Sequence, residues 1–250
     1  MSFTPKLEWD QSGQRKYETG VRKMALYLKN DDGTYANGVA WNGVISVQES
    51  PSGAESNPIY ADDMKYLDIR SAEEFGATVQ AYTYPPEFEQ CDGSAAVIDT
   101  VPFITVGQQS RRAFGLAYTT RVGNDVKMND YSYKLHIVYG CTASPSEREF
   151  QTVNDNPEAI TFSWEMTTTP IELPSTLGSG TLKPTAQLTI DVSQVAAMTA
   201  GAEKTHWLEC IEALEKKLYG VKAGDGQQAS EPQLVMPEDI PAMFPAFVAG

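Results

Sequence analysis

At 250 residues, with 41% hydrophobic and 21% charged side chains and no long apolar run, the chain has the makeup of a folded globular protein and not of a disordered chain or a helical membrane span. Its net charge of −14 excludes a protein that grips nucleic acid through phosphates, since that affinity comes from lysines and arginines displacing counterions. Three widely spaced cysteines, Cys91, Cys141 and Cys210, exclude a disulfide framework, and the absence of a basic start and apolar stretch over Met1–Trp9 predicts folding in the cytosol with reduced thiols.

Strand patterning dominates the first 190 or so residues. From Val21 to Lys29, Arg22, Met24, Leu26 and Leu28 alternate with Lys23, Ala25, Tyr27 and Lys29, a period-two strand ended by Asp31-Asp32-Gly33. After Val39, Trp41, Val44 and Ile45, a Pro, Ser and Gly loop is predicted over Ser50–Pro58, then one strand over Ile59–Ile69 with a charged side. Phe75–Tyr84 reads as a strand stopped by Pro85-Pro86, followed by a short helix over Glu87–Cys91. Ala113–Val122 and Tyr131–Tyr139 form the best strand pair, joined by a loop longer than a two-residue turn, and Ile160–Thr168 and Leu182–Val192 complete the set.

One helix is predicted over Ala202–Tyr219, where Trp207, Ile211, Leu214 and Leu218 recur at spacings of four, three and four and Gly220 follows as a stop. Such a stripe packs against a sheet. Beyond it, Pro232, Pro237, Pro241 and Pro245 punctuate Leu234, Val235, Met236, Ile240 and Phe244, so residues 221–250 form an extended arm whose apolar side chains need a surface, on their own domain or, the favoured reading, on a neighbouring subunit. The fold class is therefore mainly β: two packed antiparallel sheets, a β-sandwich or partial barrel, flanked by one amphipathic helix. Residues 1–220 make one domain with an N-terminal arm over 1–15.

Catalytic signatures are missing. Only His136 and His206 exist, with no His-Glu-x-x-His, Cys-x-x-Cys, Gly-x-Ser-x-Gly, Walker A or dinucleotide motif, and Gly178-Ser179-Gly180-Thr181 reads as a loop. No enzyme, metal or cofactor is expected. A hydrolase using some carboxylate pair remains an alternative that the abundance of acids does not single out. Another is a monomeric ligand- or glycan-binding sandwich with Trp41, Tyr82 and Tyr84 as stacking platforms.

Several segments carry a family likeness: Tyr17–Val21, Gly38–Gly43, Tyr60–Tyr66, Ala81–Pro85, and the run Arg111–Ile171 with its Gly123-Asn124-Asp125 turn, Tyr139–Glu147 and Asn154–Glu165. Together they resemble the tail tube protein, the major tail protein of long non-contractile-tailed bacteriophages. The resemblance implies a virion component made in the host cytoplasm. Hexameric rings of it would stack as a tube for genome ejection, alongside tape-measure, tail-terminator and distal tail proteins, with DNA passing through unbound. Six copies at −14 each would carry −84, and an acidic bore repels phosphates.

Between Glu49 and Asp99 eleven acids face two bases, Lys65 and Arg70; Asp62, Asp63, Asp68, Glu73 and Glu74 are the leading lumen candidates, unless they pair with Lys65, Arg70, Arg111 or Arg112 of a neighbour. Ring-to-ring contacts are expected from Val44–Pro58, residues 1–15 and residues 224–250. The residues after the helix are too few for the immunoglobulin-like decoration some family members carry.

Overall fold

Residues 7, 9–98, 100–145, 148–150, 152, 159–175, 177–180, 182–224 and 228–248 are described by the computed structural model. The Asn154–Glu158 segment and residues 1–6 and 8 of the expected N-terminal arm lie outside the described residues. The strands are β1 (Lys16–Leu28), β2 (Val39–Trp41), β3 (Val44–Glu49), β4 (Ser52–Gly53), β5 (Ser56–Ala61), β6 (Met64–Arg70), β7 (Glu73–Glu74), β8 (Gly76–Ala81), β9 (Ala95–Ile98), β10 (Val101–Val106), β11 (Phe114–Asn124), β12 (Met128–Ala143), β13 (Phe162–Thr168) and β14 (Gln187–Asp191). Helices are α1 (Val192–Ala197), α2 (Ala202–Tyr219) and the single turn α3 (Ile240–Met243), with a 3-10 turn at Pro86–Gln90.

All strand pairs are antiparallel, and the main path runs β2-β1-β11-β12-β13-β8-β3, with β14 added beside β12. The long strand β12 serves two layers: Lys134–Val138 pair with β14, and Cys141–Ala143 pair with β13. Between them sits Gly140, at φ +60, where a Cβ would lie 2.4 Å from the Thr169 carbonyl oxygen. Only glycine fits that bulge, which turns the strand from one layer into the next. One layer is thus β2-β1-β11-β12-β14 and the other β13-β8-β3, a sandwich with a helix on its outer face.

The core between the layers is aromatic. Trp41, Phe88, Phe114 and Trp164 meet there with Leu26, Leu116 and Met166, and Phe88 lies 4.5 Å from Trp41 and 5.1 Å from Trp164 between ring centres. A second core lies on the opposite side of the first layer, where Ala25, Tyr27, Ala117, Leu135, Ile137 and Tyr139 meet α2. β1 is therefore buried on both faces from Met24 to Leu28, because its layer is the middle one of three. The α2 stripe supplies Ile211, Leu214 and Leu218 as buried residues, with Cys210 beside them and Trp207 half-buried toward the helix start.

Four expectations are corrected. The β11–β12 connection is short, because both strands run on until Asn124 pairs with Met128 and only three residues turn between them. Ile59–Ile69 is not one strand but parts of two, β5 and β6, and part of the Ser50–Pro58 loop is strand as well. A hairpin, β9 and β10, occupies 95–106, where no strand was expected.

The fourth correction concerns the C-terminal arm, whose first half docks on its own domain. Leu234 and Val235 are buried in the second core, with Met236, Ile240 and Phe244 packed against it. Backbone bonds hold it there: Gly38 N–H donates to the Pro232 carbonyl at 2.9 Å, Gln233 N–H to the Lys217 carbonyl at 2.8 Å, and the Tyr139 hydroxyl to the Val235 carbonyl at 2.8 Å. These backbone polar groups of the arm are thus paired, and the middle layer and α2 provide the apolar cover expected from a neighbour.

Candidate assembly surfaces

The chain from Val44 to Ala81 is a single long, interrupted hairpin. β3 pairs β8 at its base, Ser52 and Gly53 of β4 pair Glu74 and Glu73 of β7 further out, and β5 pairs β6 to the tip. Asp62 and Asp63 form the tip turn at φ 49° and 61°. Left-handed geometry at both central positions is that of a type I′ turn, which matches strand twist, and aspartate is among the few non-glycine residues that tolerate it. The base is packed, but β5 and β6 leave the body. Tyr60 is 68% exposed and Tyr66 70%, and Ile59, Met64, Leu67 and Ile69 are exposed beside them.

All five predicted lumen acids fall on this arm: Asp62 and Asp63 at its tip, Asp68 on β6, Glu73 and Glu74 at its root, each exposed. Asp68 accepts from Lys65 Nζ at 2.7 Å and from the Ser56 hydroxyl at 2.5 Å, and these bonds, the lysine's first, hold its carboxyl below the usual carboxylate range. Lys65 is thus a partner within the same strand. The second hairpin, β9–β10, exposes Val97, Ile98, Phe103, Ile104 and Val106, with Phe103 at 84%. Its signal in the sequence was two short apolar runs, Ala95–Ile98 and Val101–Val106, the second masked by Pro102.

Two further features lie where the arm leaves the sandwich. β2 and β3 end the main path, so neither has a strand on its outer side among the described residues. A cleft of about 570 Å³ opens between β3 and the Glu18–Val21 part of β1. On its floor His136 stacks on Tyr118 at 4.8 Å and contacts Thr120 Oγ1 at 3.0 Å. From β3, Glu49 accepts from the Tyr118 hydroxyl at 2.8 Å and from Gln187 Nε2 at 3.1 Å, and it lies 4.0 Å from His136 Nδ1. Burial lowers the His136 pKa against the pull of Glu49 and Glu18, so the imidazole stays neutral near pH 7. His136 is itself buried, and the network ties the arm's root to the middle layer.

The three aromatics of the alternative binding reading do not share a surface. Trp41 is buried and donates Nε1–H to the Thr83 carbonyl at 2.9 Å, while Tyr84 packs edge-on against Phe88, Phe162 and Trp164. Only Tyr82 is free to stack. Beneath them Asp92 is held by Arg111 at 3.8 Å, by Arg148, and by Trp164 Nε1–H at 3.2 Å. All three cysteines are buried; burial pushes the Cys91 thiol up to about 12, which keeps it unreactive. Among the described residues no group of three or more His, Cys, Asp or Glu converges as metal ligands would.

No protein-family model matches the chain, and no curated protein matches it. Among solved structures it is similar to a chain of the anti-feeding prophage baseplate, seen in a sixfold-symmetrised cryo-EM structure, at 7% identity over 74% of this chain and 99% of that one, with a TM-score of 0.34.

Proposed function

We propose that this protein is a structural virion component whose copies close into hexameric rings and stack as a phage tail tube, doing no bond chemistry of its own. The observation that carries the reading is the pair of projecting hairpins, β5–β6 and β9–β10, which expose aromatic and branched apolar side chains to solvent. Apolar side chains exposed together on a hairpin suit an association site, and a head-to-tail contact between identical chains closes a ring when its rotation allows. The open outer edges of β2 and β3 are further places for strand pairing between copies. The mainly β sandwich with a flanking helix is the fold that the sequence resemblance implies.

In such a tube the acidic character has a purpose. Asp62, Asp63, Asp68, Glu73 and Glu74 are the exposed acids available to line the bore, where they would repel DNA phosphates and let the duplex slide. Tape-measure, terminator and distal tail proteins would be its partners in the tail. Negative-stain microscopy of the purified protein tests the reading: rings or tubes are expected, and featureless particles at every concentration would contradict it.

A further inference from the structure

A groove on the helix side of the middle layer differs in charge from the rest of the molecule. β1 breaks register between Arg22 and Ala25, and Lys23 adopts φ 51°, a left-handed conformation unusual for lysine. The bulge presents Arg22 and Lys23 to solvent beside Arg121 of β11. Two clefts meet at Lys23, one of about 430 Å³ lined by Arg22, Arg121, Asp130 and Leu208, the other of about 470 Å³ and apolar, lined by Val39, Leu218 and Pro232. Among the described residues none of the three cations forms an ion pair with a carboxylate. Lys23 instead lies 5.6 Å over the Tyr219 ring, and the Arg121 Nε–H is buried without a hydrogen-bond partner. In a chain of net charge −14, three cations against the single carboxylate that lines the cleft, Asp130, beside an apolar slot form a surface that calls for an acidic, apolar partner.

The chain carries such a partner. At the tip of the β5–β6 arm, Asp62 and Asp63 are flanked by exposed Tyr60 and Met64. Strands of six and seven residues reach roughly 20 Å, enough to cross from one subunit to the next. We propose that the basic groove at Arg22, Lys23 and Arg121 receives the hairpin tip of a second copy, with Asp62 and Asp63 meeting the cations and Tyr60 or Met64 entering the apolar cleft. The tip acids then hold copies together, and Asp68, Glu73 and Glu74 are left for the bore. Three cations are too few for tight phosphate binding by so acidic a chain, which favours a protein occupant over nucleic acid.

The inference rests on the reading that copies associate, and a charge swap in the full-length protein separates the two. Light scattering of wild type is compared with Arg22→Glu/Lys23→Glu, with Asp62→Lys/Asp63→Lys, and with all four changes together. Each pair alone should weaken self-association about tenfold, as expected when two or three exposed ion pairs become repulsive, and the four combined should restore it to near wild type. Thermal melts verify folding, and raising salt on the unaltered protein, which should loosen its assemblies, needs no variant. If either pair associates like wild type, or the fourfold variant no better than its parents, the contact is wrong while assembly stands. Duplex DNA retained by wild type and lost in Arg22→Glu/Lys23→Glu would give the groove to nucleic acid and overturn the proposal. A wild type that stays monomeric contradicts both readings.

Discussion

Trp164 and Tyr66 are both aromatic residues on β-strands, yet Trp164 has no exposed surface and Tyr66 is 70% exposed. Around Trp164 the two layers close over a nest of rings whose removal from water stabilises the fold. Tyr66 lies on an arm that leaves the sandwich beyond its packed base and contributes little to that stability. Apolar content is therefore placed in two ways: in the body it is buried and fixes the fold, and on the hairpins it is left exposed. Substitutions in the two regions should separate folding from association.

The largest effect is expected in the nest. Trp164→Ala should lower unfolding free energy by about 3–5 kcal/mol in urea titrations, since neighbouring rings cannot collapse into the void. Leu234→Ala should cost about 2–4 kcal/mol, and because Leu234 fills its own subunit's core the loss should not vary with protein concentration. Asp92→Asn, which weakens the links to Arg111 and Arg148, should cost about 2 kcal/mol. On the arm, Ile59→Ser/Tyr66→Ser should change monomer stability by less than about 0.5 kcal/mol while sharply reducing association, read by sedimentation.

The smallest effect is in pH. His136 has its pKa lowered in the fold from an ordinary value of 6.5, so between those values the unfolded chain binds more protons than the folded one. Stability should fall as pH drops from 6.5 through the folded value, and His136→Gln should flatten that part of the profile.

The sequence made the body readable and the extremities much less so. Period-two alternation located β11, β12 and β13, and the four-three-four spacing placed α2, because those patterns record which side of an element meets the core. β5 and β6 read as one strand in the sequence because Asp62-Asp63 lies in a charged stretch and resembles part of a strand face; it is a turn because aspartate accepts positive φ. β9 and β10 bury little and so leave no one-sided pattern in the sequence. The docking of Leu234 and Val235 depends on carbonyls that accept from the Gly38 N–H and the Tyr139 hydroxyl, contacts across about a hundred or more residues that no local window contains. Of the candidate site, the acids were found by composition, but their gathering on one projecting arm, and the groove formed by the β1 bulge, are products of the tertiary fold.

The central claim, that exposed hairpins join copies of this chain into rings, is tested most directly by light scattering across a concentration series of wild type and Ile59→Ser/Tyr66→Ser. The account predicts a wild-type species of about six times the 27.4 kDa subunit, or larger stacks, and a folded variant shifted to the single subunit mass. A wild type that remains at 27.4 kDa throughout, or a variant that assembles as well as wild type, would contradict it.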